Sequence, residues 1–237
     1  MPNISKEDYL RVIYKNYIED SLVTATVIAD KLDVSNAAVT DMLKKLAKEK
    51  FIKYFPYKGV ELLPKGMETA INMVRRHRIW ETYLSKVIGL PLSMIDSEAE
   101  NLEHSSSDEL IDRLEEILGY PEFDPHGDPI PSKKGILPKK KKSIPLSELE
   151  VDEKGTVLRV NDESDEFIEH LTKLGIELNH KIKVLERRGF DNSLLIEVRA
   201  SEILGGKKEH SISEKYAKNI FVEQGFLQNK STLKKTH

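Results

Sequence analysis

Apolar positions recur at helical spacing near the start of the chain. In KEDYLRVIYKNYI, Tyr9, Leu10, Ile13, Tyr14 and Tyr17 share one stripe, and Ser5 with Asp8 has the capping-box spacing, so a first helix is predicted. TVIADKL, with Val27, Ile28 and Leu32 inward, predicts a second helix. NAAVTDMLKKLAKEKF predicts a third, with Val39, Met42, Leu43 and Leu46 at i, i+3, i+4 and i+7. The gap between these two admits only a tight turn. The period then falls to two in Ile52-Lys53-Tyr54 and Val60-Glu61-Leu62, joined through Pro56-Tyr57-Lys58-Gly59, which predicts a β-hairpin. Helix, helix, turn, helix, hairpin is the winged helix-turn-helix order.

Beyond Lys65 a long helical pattern runs to about Gly89 through Met67, Ile71, Val74, Leu84 and Ile88, and contains the single tryptophan, Trp80. Ser93 with Asp96 is read as the cap of a further helix ending near Ser105, and Ser107 opens another with Leu110, Ile111, Leu114, Ile117 and Leu118 inward. These short helices have wide apolar faces, which a second copy of the chain would cover. The stretch 120–146 holds most of the prolines and a lysine run at 139–142, as a linker or irregular edge does. TVLRV, a helix around Glu166–Leu174, KIKVLER, LLIEVR and EHSI then follow at the density of a small barrel.

The expected fold is therefore mostly α with a small all-β C-terminal domain. The boundaries expected are 1–65 for the winged helix-turn-helix, 66–130 for a helical domain, 131–146 for a Pro/Lys-rich linker, 147–224 for the barrel and 225–237 for a flexible tail. A length of 237 residues, with 39% hydrophobic and 32% charged positions, fits several small globular domains. No apolar run approaches the ~20 residues of a membrane span, and the start, MPNISKEDYL, lacks an export-signal pattern, so a cytoplasmic protein without membrane contact is expected. The absence of cysteine excludes disulfides, thiolate metal sites and a cysteine nucleophile.

Net charge is only -3, but it is segregated: residues 1–80 carry 14 Lys and Arg against 10 Asp and Glu, and residues 81–130 carry 2 against 13. The basic block suits a polyanion, and the acidic block requires solvent or a cation. On the third helix the face opposite the core shows Asn36, Ala37, Thr40, Lys44, Lys45 and Lys48 after Ser35. Small residues followed by lysines suit a helix in the major groove, with Lys58 of the hairpin near the DNA backbone. Alone, the same face would also serve as a solvated one; the preceding helix and the following wing favour DNA.

In SEAENLEHSSS, Glu100, Glu103 and His104 stand at i, i+3 and i+4, and Asp96 extends the stripe one turn back. His77 and Glu81 form a second i, i+4 pair. Facing helices of this kind could offer hard oxygen and imidazole ligands to a divalent cation. Two carboxylates ~5 Å apart repel by roughly 3 kcal/mol at an effective dielectric of 20, so crowded acids need a counter-cation. Helix capping by Asp8 and Asp96, and an exposed ion pair for His77 and Glu81, are the plainer readings of the same spacings.

Taken in order, KEDYLRVIY, VSNAAVTDMLKKL, YKGVELLPKG, RRHRIWE, EAENLEH and PHGDPIP resemble the diphtheria-toxin-repressor family of metal-dependent transcriptional repressors, and most of all its manganese-responsive branch with an SH3-like (FeoA-type) C-terminal domain. The resemblance implies a homodimer that binds operator double-stranded DNA when loaded with Mn²⁺ or Fe²⁺ and represses metal-uptake genes. It makes 66–130 the metal-binding and dimerisation domain, with two sites per subunit. The primary site would be Asp8, Glu100, Glu103 and His104, and the secondary one His77, Glu81 and Asp162, with Asp96 less certain. Iron-type members carry sulfur ligands where this chain has Asp8 and Glu100, which favours manganese. Many members have histidine in place of Asp96, and the two-domain manganese regulators have glutamate in place of Arg11, which argues against their closely spaced metal pair here.

The rival function is a metallohydrolase built on the same ligands, but no HExxH, phosphate loop or nucleophile elbow is present. A di-iron bundle would need glutamate at position 101, where Asn101 stands. A second nucleic-acid patch at 139–142 is the remaining alternative to a solvated linker.

Overall fold

The computed structural model describes residues 5–17, 22–139, 141–161, 164–199 and 207–224. The chain divides into two compact units, one of Met1–Ile88, Asp96–Glu122 and Pro129–Pro138, the other of Gly89–Ile95, Phe123–Asp128 and Lys139–His237. The segment expected as a linker, 131–146, is thus shared between them. Asp162 and the tail 225–237 lie outside the described residues.

In the first unit, α1 (Lys6–Asn16), α2 (Ala25–Leu32) and α3 (Asn36–Lys48) precede strands β1 (Ile52–Phe55) and β2 (Gly59–Leu62). Each helix starts where a hydroxyl can satisfy a free amide: Ser5 accepts from Glu7 and Asp8, Thr24 from Val27, and Ser35 from Ala38. Asp33, in the left-handed region at φ 50°, ends α2 and makes the tight turn into α3. The predicted stripes supply the core, except that Val27, expected inward on α2, is exposed, because the short helix buries Ile28 and Ala29 instead. Leu10, Ile13, Ile28, Val39, Leu43, Leu46, Ile52 and Val60 form one core, and emptying any of the larger positions would cost about 2–5 kcal/mol. The hairpin pairs Ile52 with Leu62 and Phe55 with Gly59.

Pro64 at the first turn opens α4 (Pro64–Tyr83), and the long periodic stretch ends as a π turn, Leu84–Ile88. α5 (Leu92–Glu103) and α6 (Asp108–Ile117) follow. α5 begins one residue before Ser93, so the expected cap of Ser93 and Asp96 is not formed: both lie inside the helix, and the Asp96 carboxylate turns to His77 instead. A small core of Ile79, Ile111, Leu114 and Ile130 joins α4 to α6. Arg75, buried on α4, holds α6 through Asp112 at 2.8 Å and Glu115 at 2.5 Å.

The second unit is an antiparallel six-stranded sheet in the order β3-β8-β4-β5-β6-β7, from β3 (Ile144–Pro145), β4 (Lys154–Val160), β5 (Lys181–Arg187), β6 (Leu194–Arg199), β7 (Lys207–Ile212) and β8 (Ile220–Gln224). Helices α7 (Asp165–Leu174) and α8 (Glu214–Lys218) pack on it. Its own core includes Leu146, Leu149, Val157, Phe167, Leu171, Val184, Ile196, Ile220 and Val222. Of the lysine run, Lys141 is exposed beside Glu223 at 3.5 Å. No helix among the described residues is long and apolar enough to cross a membrane.

Candidate metal centre

Three helices of the first unit bring the acidic residues together. α1 supplies Asp8, in the third position of its first turn, where Asp8 Oδ2 accepts the Ser5 N–H at 2.7 Å to close the capping box. The cap fixes the carboxylate and leaves Oδ1 aimed away from it. α4 supplies His77 and Glu81, one turn apart and both buried. The end of α5 supplies Glu103, with His104 just after it. Arg76 of α4 holds that end by donating to the carbonyls of Glu103, at 3.2 Å, and of Ser106, while Trp80 Nε1 donates to Ser106 Oγ at 2.8 Å. A cation against the last carbonyls of a helix is favourable with its dipole.

Two groups of donors result. Asp8, Glu103 and His104 place one ligand atom each within 4.8 Å of one another, and so do His77, Glu81 and Asp96. His104 Nε2 is 2.8 Å from Asp8 Oδ1 and 3.4 Å from Glu103 Oε1, and its Nδ1 meets Glu7 Oε2 at 3.0 Å. His77 Nε2 lies 3.1 Å from Asp96 Oδ1 and 3.5 Å from Glu81 Oε1. Glu103 joins the groups, because its Oε2 is also 2.7 Å from His77 Nδ1.

Arg11 lies between the groups. Its Nη1 is 3.1 Å from Glu103 Oε1 and 3.0 Å from His77 Nδ1, and its Nη2 is 2.9 Å from Glu100 Oε2. Glu100, expected among the primary ligands, is therefore placed on Arg11, with 44% of its side chain exposed. Glu7, which the spacing argument did not single out, stands against His104 instead. Asp162, expected for the second group, lies outside the described residues.

The electrostatics follow from this crowding. Burial opposes a charged His77 ring, but the Glu81 charge and hydrogen bonds to Asp96, Glu103 and Glu81 outweigh it and hold His77 well above the usual imidazole range. His104 is raised in the same way: burial opposes, and Glu7, Asp8 and Glu103 prevail. The hydrogen bond from His77 lowers Asp96 against a burial penalty.

The donor set fits a divalent cation. Asp8 Oδ1 and Glu103 Oε1 are buried and accept no hydrogen bond of acceptable geometry, although His104 and Arg11 are close by. Buried carboxylates crowded on one imidazole call for positive charge, and these two sit beside the same ring. One imidazole with two carboxylates in each group is a hard, sulfur-free set of the kind that Mn²⁺ and similar ions take.

On the DNA-type surface, Ser35 caps α3 while Asn36, Ala37, Lys44 and Lys45 are exposed and Thr40 is half-buried. Lys58 is exposed on the hairpin. Apart from Thr40, the expected contact residues are exposed to solvent.

Residues 3–60 match the N-terminal DNA binding domain of the iron dependent repressors, 63–132 their metal binding and dimerisation domain, and 144–224 a FeoA domain. A curated relative, the HTH-type transcriptional regulator MntR of Listeria innocua, is 34% identical over 140 residues, 59% of this chain and 96% of its own length. The chain belongs to the iron-dependent, or diphtheria-toxin-repressor, family. Its fold is also that of a solved manganese-dependent transcriptional repressor in complex with manganese, at 30% identity and a TM-score of 0.82, covering 93% of this chain and all of that one. ScaR with bound Cd²⁺ is similar at 30% identity and a TM-score of 0.74, over 93% and 99% of the two chains. The six-stranded sheet, within residues 144–224, is accordingly the SH3-like FeoA domain, and the protein is a metal-dependent transcriptional repressor rather than an enzyme.

Proposed function

We propose that this repressor responds to Mn²⁺, with Fe²⁺ as the alternative, and acts as a homodimer on operator DNA of metal-uptake genes. The observation that carries the proposal is the convergence of two buried carboxylates from different helices, Asp8 on α1 and Glu103 on α5, on one imidazole, with Asp8 Oδ1 2.8 Å and Glu103 Oε1 3.4 Å from His104 Nε2. Asp8 belongs to the helix that packs on the DNA-reading elements, whereas Glu103 and His104 end a helix of the dimerisation region. A bound cation would supply the positive charge that makes this approach favourable. Asp8, Glu103 and His104 would hold it in the primary site, with Glu100 a further donor once released from Arg11. His77, Glu81 and Asp96 would hold a second.

Without that charge the link between α1 and α5 rests on the ion pairs of Arg11 with Glu100 and Glu103 and of His104 with Asp8, and is weaker. The cation selects the arrangement it binds more tightly. In the dimer this would fix two α3 helices near one DNA turn apart, ~34 Å. The apolar side chains of Val87, Ile88, Leu110, Ile117 and Tyr120 are 42–68% exposed and provide the surface for the second copy. A protein of this class works in the cytoplasm.

The test is fluorescence anisotropy of a labelled duplex, selected by the Mn²⁺-loaded chain from a randomised library. The full chain should bind it in Mn²⁺ and release it in chelator. Chelator-insensitive binding would overturn the proposal.

A further inference from the structure

The wing carries a residue that its own turn disfavours. Phe55, Pro56, Tyr57 and Lys58 form a β-turn closed by the Lys58 N–H donating to the Phe55 carbonyl at 3.0 Å. With proline second and a third residue at φ 65°, this is the type II pattern, whose third position calls for glycine or asparagine. The chain places Tyr57 there, a bulky residue in the left-handed region, with its side chain fully in solvent at 105% relative exposure. Folding gains nothing from that ring in this position. Backbone strain retained beside full exposure of an aromatic is the mark of a contact made elsewhere.

The tip is also held rigidly. Val23 and Val60 exchange backbone hydrogen bonds of 3.2 and 2.9 Å. Gly59, at φ 134°, lies so close to Val23 that a Cβ would come within 2.6 Å of the Val23 carbonyl oxygen. Phe51, just before β1, donates its N–H to the Leu46 carbonyl of α3 at 3.0 Å, so wing and recognition helix are anchored to each other. The cation Lys58 is exposed next to the ring.

We infer that Tyr57 is a specificity-determining residue of the repressor: the wing places its ring in the minor groove flanking the half-site read by α3, against deoxyribose and the groove wall, while Lys58 meets phosphate. The inference rests on the DNA-binding reading above. A three-residue tip, Pro56–Lys58, is narrow enough for a groove ~6 Å wide, and a rigidly presented aromatic there reads groove width and A·T content rather than individual bases. Tyr57 lies on the hairpin, away from the metal ligands, so it should change DNA affinity without changing metal response.

The experiment compares full-length wild type, Tyr57→Ala, Tyr57→Phe, Tyr57→Gly and Lys58→Ala on the library-selected duplex in excess Mn²⁺. Wild-type binding is the control for the underlying reading. Tyr57→Ala and Tyr57→Gly should bind about tenfold more weakly with an unchanged salt slope, and Tyr57→Phe within about twofold of wild type. Lys58→Ala should lower the salt slope by about one. Tyr57→Gly should melt higher than wild type because glycine relieves the positive φ. Library selection repeated with Tyr57→Ala should return the same half-site without flanking A·T preference. Affinity of Tyr57→Ala and Tyr57→Gly within about twofold of wild type, or a loss that tracks a lower melting temperature or weaker Mn²⁺ binding, would overturn the inference.

Discussion

Glu103 Oε2 lies 2.7 Å from His77 Nδ1, while its Oε1 points toward His104 and Asp8. One fully buried carboxylate thus belongs to both donor groups. Replacing it should disturb both at once. Glu103→Ala is expected to lower Mn²⁺ affinity at each site by at least about tenfold and to abolish Mn²⁺-induced DNA binding, with the dimer intact. Calorimetric titration with size-exclusion light scattering checks this, and two unaltered Mn²⁺ isotherms would refute it.

Arg11 provides the second consequence. Its guanidinium is nearly buried and supplies the positive charge that Glu100 and Glu103 otherwise lack. Arg11→Gln should destabilise the metal-free chain by about 3 kcal/mol, because a buried carboxylate loses its partner. Mn²⁺ affinity should rise in the same variant, since no tethered cation competes for the carboxylates. Urea unfolding with and without Mn²⁺ measures both effects. Weaker Mn²⁺ binding would show that Arg11 assembles the ligands rather than competing with the ion.

The helices, the hairpin and the Ser5–Asp8 cap were legible because each rests on a period or a spacing within about twelve residues. Arg11 was not: its partner Glu103 is 92 positions away, and a lone arginine among Tyr9, Leu10 and Val12 carries no local sign of where it points. The helical stripe of Glu100, Glu103 and His104 was readable, yet spacing cannot tell that Arg11 draws Glu100 aside while Glu7 approaches His104. Asp96 read as a cap because Ser93 precedes it by three residues; its real partner, His77, is on another helix. In the second unit β8 is not legible in the sequence, since its two fully inward residues, Ile220 and Val222, are too few to establish a period.

His77 gives a pH dependence with a definite sign. Its folded-state value is raised well above the ordinary imidazole value, about 6.5, at which the unfolded chain titrates. Its contribution to metal-free stability is therefore complete below about pH 6.5 and is lost as pH rises through the folded value. Mn²⁺ requires the neutral ring, so binding releases a proton and strengthens with pH. Melting curves should show the metal-free chain losing stability between pH 6.5 and the folded value while the increment from Mn²⁺ grows. A Mn²⁺ increment that shrinks with pH would contradict this assignment.

The exposed side chains of α6 test the assembly. Ile117 is 68% exposed and Leu110 42%. Ile117→Glu should raise the dimer dissociation constant by about two orders of magnitude, roughly 3 kcal/mol, and weaken DNA binding with it. Analytical ultracentrifugation decides, and a dimer as tight as wild type would place the interface elsewhere.

Asp8 is the only carboxylate that α1 contributes to a donor group, so the coupling of metal to DNA runs through it. Asn at this position keeps an oxygen for the Ser5 amide and removes the charge. The decisive measurement is DNA affinity during Mn²⁺ titration of the metal-stripped wild type and of Asp8→Asn. Wild type should gain at least about 100-fold, whereas Asp8→Asn should still take up Mn²⁺ at the His77 group and gain almost nothing. An equal gain in both proteins would show that α1 is not drawn to α5 by the ion, and would contradict the account.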